Sequence, residues 1–216
     1  MHFLIRYLGI IVATIFCIAG LVRFRRLGKT YRPLFLMAIA GLITEILGDY
    51  VAHFSNNNAI VMNSYALLEW VLIFWQFRVW GSLRGRKEIA WLILLVPCAV
   101  WVAENLLFGN MDNFSPYFRI SAGFIIVLFS VNKINFMITH DNRKLLGHPD
   151  FLICIGFIIY FIYDIVYEWA YQSSRTSATE ITSTIIFLFG YINALANIIF
   201  AIAFLRIPAS KEIRLW

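Results

Sequence analysis

Apolar residues run in seven blocks, approximately over 4 to 22, 34 to 53, 59 to 80, 89 to 108, 117 to 140, 151 to 170 and 181 to 205. Each is long enough to cross about 30 Å of hydrocarbon as a helix rising about 1.5 Å per residue. The pattern predicts an all-α polytopic membrane helix bundle, with seven transmembrane helices forming a single domain over residues 1 to 216. The connections are about ten residues at most, so no soluble catalytic or DNA-binding domain is expected and any chemistry falls within the bundle. Composition agrees: 61% hydrophobic and 14% charged residues, with a mean hydropathy of +0.77, exceed what a soluble core requires. The first block is too long for a signal-peptide core, and no small-x-small cleavage site precedes Arg23-Phe-Arg25-Arg26, so it reads as a retained helix.

Acids interrupt these blocks. Asp164 and Glu168 stand four apart in Tyr160-Phe-Ile-Tyr-Asp164-Ile-Val-Tyr-Glu168-Trp169, and Glu45 and Asp49 repeat the figure in Thr44-Glu45-Ile-Leu-Gly-Asp49-Tyr50. Residues four apart share a helix face. Each acid would cost roughly 2.5 to 3.5 kcal/mol near a bilayer centre unless paired, protonated or turned toward a polar cavity. The two stretches align without a gap, which makes spans 2 and 6 counterparts. A parallel repeat of three, one and three spans then follows, with Gly9-Ile-Ile-Val12 opposite Gly123-Phe-Ile-Ile-Val127. That plan resembles the architecture of sugar-efflux and PQ-loop transporters, and such repeats place binding sites at their interface near the midplane. The Pro-Gln pair of those families is absent, since Gln76 follows Trp75 and Gln172 follows Tyr171.

Charge sets the orientation. Arg23, Arg25, Arg26, Lys29 and Arg32 follow span 1; Arg78, Arg84, Arg86 and Lys87 follow span 3; Lys133, Arg143 and Lys144 follow span 5; Arg206, Lys211 and Arg214 follow span 7. This side is expected to be cytoplasmic, with the N-terminus outside and the C-terminus inside a plasma or inner cell membrane. The net charge of +6 is then explained by topology and anionic lipid, and calls for no nucleic acid. On the inner side the acids are Glu88, Asp141, Asp150 and Glu212; the others fall in the middle or outer half, opposed there by Arg6, Arg119 and Arg175.

Span 3 carries Tyr65, Glu69 and Gln76 as one polar stripe, with Asn63 off it. Pro97 should bend span 4 and leave Glu104 beyond the bend with Trp101, as a pocket wall or as packing. Span 5 sets Arg119 at the level of the acids as their counter-charge. Span 7 offers Asn193 and Asn197 on one face, as ligand contacts or as interhelical hydrogen bonds. Cys17, Cys98 and Cys154 fall inside spans without CxxC spacing and read as packing residues. His140, Asp141, His148 and Asp150 sit near one another in sequence, but nothing in their spacing fixes a metal geometry, and no metal or cofactor is expected.

Several classes are excluded by particular residues. Span 7 has no lysine, so a retinal Schiff base has no amine. Intramembrane zinc hydrolysis lacks its histidines, only His53 lying near the acids, and serine protease, Walker A and GxGxxG patterns are missing. The stretch Leu67-Leu68-Glu69-Trp70-Val71-Leu72-Ile73 resembles, through Glu69, the P-x-E-[ED]-x-x-F motif of lycopene-cyclase-like membrane terpene cyclases. That resemblance implies an enzyme alternative, with Glu69 and Asp164 as acid and base on an isoprenoid. Asn63, Tyr65 and Glu69 together resemble small bacterial seven-span membrane proteins of uncharacterised function.

The expectation is therefore a cavity in the outer half of the bundle formed by Glu45, Asp49, Tyr65, Glu69, Glu104, Arg119, Asp164, Glu168 and Asn193. It would bind or transport a small cationic or proton-coupled solute, with Tyr65, Trp101, Tyr160 and Tyr163 adding cation–π contacts. So many carboxylates cannot all stay ionised beside one arginine, so binding or stability should vary between about pH 5 and pH 8. A carrier would need a route past Gln76, Ser130, Asn193 and Asn197; a sensor would need a partner membrane protein or a second copy. The bilayer and the solute are the partners this reading requires.

Overall fold

Proline places the helix starts. In the computed structural model, α6 (Pro116–His140) and α7 (Pro149–Ser174) open on a proline and α3 (Arg32–Ser55) has one at its second position, Pro33. A fixed φ and a missing N–H cost nothing in the first turn. The other helices are α1 (His2–Val22), the short α2 (Phe24–Leu27), α4 (Ala59–Val79), α5 (Lys87–Val102) and α8 (Glu180–Leu205). The structure describes residues 2–55, 57–83, 85–140, 145–174 and 180–208, with side chains from Tyr7 onward. Arg84, Asp141, Arg143, Lys144, Arg175, Lys211, Glu212, Arg214 and the side chain of Arg6 lie outside the described residues. No strand occurs among the described residues.

The end of α4 shows why the chain turns where it does. Gly81 has φ 82°, its N–H donates to the Arg78 carbonyl at 3.0 Å, and the Ser82 N–H donates to that of Phe77 at 3.1 Å. This paired arrangement satisfies the last carbonyls of a helix and needs a left-handed residue. Pro97 lies buried inside α5, which continues as a π-helical turn over Ala103–Leu107.

Six helices are long and apolar enough to cross a membrane: Arg32–Ser55, Ala59–Val79, Lys87–Leu107, Pro116–His140, Pro149–Ser174 and Glu180–Leu205. In α1 the corresponding described stretch, Tyr7–Val22, is shorter. The helices surround a common interior: α1 packs on α3 and α8, α3 on α4, α4 on α6, α6 on α7 and α7 on α8, while α5 lies against α4 and α6. Outward faces carry exposed Ile11, Ile15, Leu92, Leu95, Leu128 and Ile162, whereas the buried set is dominated by Phe16, Trp70, Phe77, Phe118, Phe157 and Phe204. An apolar exterior around an aromatic interior is the pattern a bilayer solvent selects.

Candidate ligand-binding cavity

The ring encloses a cavity of about 280 Å³ to which α1, α3, α4, α6, α7 and α8 all contribute. On one wall Glu45 accepts a hydrogen bond from Asn193 Nδ2 at 3.4 Å. Asn197 Nδ2 in turn donates to Asn193 Oδ1 at 2.9 Å. Gly9 of α1 makes room for this acid: a methyl group there would stand 3.1 Å from Glu45 Oε2. At Gly41 it would stand 3.0 Å from the Tyr65 hydroxyl. Glycine is thus placed where α1 and α3 meet polar groups of the interior.

The opposite wall is built around Arg119. Its Nη2 donates to the Met62 carbonyl at 3.3 Å, its Nε lies 3.4 Å from Glu168 Oε1, and the guanidinium sits 5.8 Å from the centre of the Phe114 ring. Glu168 is 1% exposed, and its Oε2 has no hydrogen-bond partner among the described residues. One turn apart on α4, Tyr65 donates to Glu69 Oε1 at 3.1 Å. Tyr160, Tyr167 and Phe189 also line the cavity, Tyr167 stacking on Phe189 with centroids 4.4 Å apart. Phe16, Phe157 and Phe200 close one side. Phe200 lies 5.4 Å from Phe16 and 5.2 Å from Phe157, centroid to centroid.

Of the residues the sequence singles out, Glu45, Tyr65, Glu69, Arg119, Glu168 and Asn193 line this cavity. Asp164 instead lines a second space of about 20 Å³ beside it, together with Glu69 and Arg119. Asp49 is half-buried on α3, outside the lining. Glu104 is used elsewhere: its carboxylate accepts from the backbone N–H groups of Tyr117 at 3.1 Å and Phe118 at 2.7 Å. There it caps the first turn of α6, where negative charge is favoured. Trp101 donates to the Asn63 carbonyl at 3.0 Å and Tyr163 to that of Ile185 at 3.0 Å, so neither ring faces the cavity lining. The parts sequence reasoning missed are the space-giving role of Gly9 and the aromatic pair Tyr167 and Phe189. Tyr167 precedes Glu168, which marks it only once the helix is rotated correctly.

Two residues expected on a route through the bundle have structural partners. Gln76 donates to the Thr30 carbonyl at 2.7 Å and accepts from Leu34 N–H at 3.2 Å, fastening the start of α3 to α4. Ser130 donates to the Ile126 carbonyl at 2.8 Å within its own helix. Near them, Tyr31 donates to Asp150 Oδ1 at 2.5 Å, Lys133 lies 3.7 Å from Asp150 Oδ2, and the Lys133 ammonium sits 5.5 Å from the centre of the Trp80 ring. Burial, and then the Asp150 carboxylate, hold the Tyr31 phenol above its ordinary pKa, so it stays a hydrogen-bond donor at neutral pH.

The apolar helices define a membrane protein of the all-helical class. In comparison with protein-family models, curated proteins and solved structures, the chain has no significant match.

Proposed function

We propose that this protein is a single seven-span domain of a cell membrane, N-terminus outside and C-terminus cytoplasmic, whose interior cavity binds a small cationic solute for uptake or sensing. The observation that carries the reading is the lining itself. Glu45, Glu69 and Glu168 line, together with one guanidinium, that of Arg119, a space of about 280 Å³. This is close to the lower end of ligand-pocket volumes, about 300 Å³. Three carboxyl groups against one guanidinium favour a positively charged guest, and Tyr65 and Tyr160 line the same space, where a cation–π contact adds roughly 0.5 to 2 kcal/mol.

The seventh span is α1, which packs along α3 and α8 and buries Val12, Phe16 and Cys17 against them. The expected three, one and three arrangement is supported by the ring order. The neighbours α1 and α3 correspond to α6 and α7, the neighbours α3 and α4 correspond to α7 and α8, and α5 lies between the two sets, against α4 and α6. The cyclase alternative draws less support. Glu69 lines the large cavity, but Asp164 does not, so the two carboxyls do not face one isoprenoid-sized space.

The reading is tested by thermal unfolding of the protein in lipid nanodiscs with ethylammonium, tetramethylammonium, guanidinium or choline, and with acetate and glucose as controls. Protection by one or more of the cations, reduced at least tenfold in apparent affinity by Glu45→Gln, is the expected result. Equal protection by the controls, or protection unchanged by Glu45→Gln, would overturn it. Flux of the protecting cation into proteoliposomes separates a carrier from a sensor. Conversion of linear isoprenoids by the protein, lost in Glu69→Gln, would establish the enzyme reading instead.

A further inference from the structure

Glu69, Arg119 and Phe161 line both the large cavity and the small one beside it. The small space is otherwise walled by Ala66, Trp70, Phe118, Ala122, Ile126 and Asp164. Asp164 is 4% exposed, and its Oδ1 has no hydrogen-bond partner among the described residues. A volume of about 20 Å³ accommodates a single water, which needs two to four polar partners. Asp164, Glu69 and Arg119 supply them. Charge leads to the same place. The guanidinium of Arg119 is in ion contact with Glu168 at 3.4 Å, which leaves Glu69 and Asp164 facing one small apolar-walled space, an arrangement in which two carboxyls hold one proton between them.

We propose that the small space is a proton-parking site: one water held by Asp164, Glu69 and Arg119 carries a proton from Glu69 to Asp164 when a cation enters the large cavity. The Glu69 O–H bond breaks as an O–H bond to the water forms, and another O–H bond of that water breaks as one forms on Asp164 Oδ1. Glu69 is left as the carboxylate that faces the cation, and the proton stays in the protein. The inference rests on the cation-binding reading and adds to it the group that lets binding proceed without proton release, in place of the pH-dependent binding the sequence alone leads one to expect. The charged and titratable groups around Asp164 are Glu69 from α4, Arg119 from α6, and Tyr160, Tyr167 and Glu168 from its own helix. Tyr65 is hydrogen-bonded to Glu69, Glu45 of α3 lies on the large cavity, and α8 contributes the uncharged amides Asn193 and Asn197 to that cavity.

The experiment measures tetramethylammonium affinity by calorimetry in nanodiscs across the range from about pH 5 to about pH 8, with proton release followed by a dye. In the unmodified protein the proton is retained, so affinity is nearly independent of pH and no proton appears in solution. In Asp164→Asn the proton has no acceptor, so each bound cation expels it. Affinity then falls about tenfold for each unit the pH is lowered. Ala122→Val fills the small space without replacing a carboxyl group and is expected to give the same slope, which keeps the test open if Asp164→Asn disturbs packing. The same slope in the unmodified protein and in both variants would overturn the proposal. If neither tetramethylammonium nor any other of the four cations binds, the cation reading fails separately, and infrared titration decides the proton site. A protonated-carboxyl band that is lost in Glu69→Gln and shifted in Asp164→Asn and in Ala122→Val supports it, and a band identical in the unmodified protein and the three variants overturns it.

Discussion

Two ends of the same bundle use their buried carboxylates differently, although Trp80 Nε1 and His148 Nδ1 at the first end also have no hydrogen-bond partner among the described residues. At the end bearing Tyr31 and Trp80, Gln76 is engaged through both ends of its amide, and Asp150 is shared by Tyr31 and Lys133. Around the cavity, Glu168 Oε2, Arg119 Nε and Asp164 Oδ1 have no hydrogen-bond partner among the described residues. Saturated polar groups in an apolar interior fix the geometry of helices. Unsaturated ones that converge on a space are costly to the fold and useful to a ligand. The difference separates a fastening from a site more sharply than the identity of the residues does.

The largest effect on stability is expected from Asp150→Ala, which removes the acceptor of Tyr31 and leaves the Lys133 ammonium without its carboxylate. A loss of about 3 kcal/mol follows from breaking a largely buried ion pair by one partner, read as a lowered Tm in detergent, with cation affinity changed less than threefold. A loss of cation binding at unchanged Tm would reverse the assignment of the two ends. Gly156→Ala comes next. The added methyl would stand 2.5 Å from the Phe200 ring, in the aromatic layer that closes the cavity, and overpacking of this kind costs about 1 to 3 kcal/mol. Glu45→Gln is expected to do the converse of Asp150→Ala, moving the unfolding free energy by less than about 1 kcal/mol while weakening cation binding at least tenfold. The smallest change is Gly9→Ala, whose methyl meets the Glu45 carboxylate 3.1 Å away. That carboxylate ends a flexible side chain and can yield by a few tenths of an ångström, so a twofold to fivefold loss of affinity with unchanged Tm is expected from isothermal titration.

The helices were legible because hydrocarbon imposes a length: apolar blocks such as 59 to 80 and 181 to 205 coincide closely with Ala59–Val79 and Glu180–Leu205. Their ends were less so. The block from 151 to 170 extends to Pro149–Ser174, because a helix continues into polar residues wherever a proline or a side chain serves its terminal amides. At the site, spacing of four correctly paired Tyr65 with Glu69, since that contact is local to one helix. It could not reveal that Glu104 caps α6 or that Gln76 holds the start of α3, because those partners come from other elements and no local period records them. Asp49 and Asp164 show the same limit from the other direction. Each stands four residues from an acid that lines the cavity, yet a small rotation about the helix axis is enough to place one acid inside it and the other beside or outside it.

The pairing of α1 with α8 has a consequence for how such a chain is made. Asn193 of α8 reaches Glu45 of α3 across 148 residues of sequence, and α1 packs on α8, so two early described helices wait for the last of the described helices before that wall exists. Until then Glu45 is met by the α1 face around Gly9 but has no amide from α8 to donate to it. Closure of long loops is the slow step in such assemblies. A nascent chain halted before α8 would therefore hold the Glu45 carboxylate in the bundle without the Asn193 amide that donates to it in the finished ring.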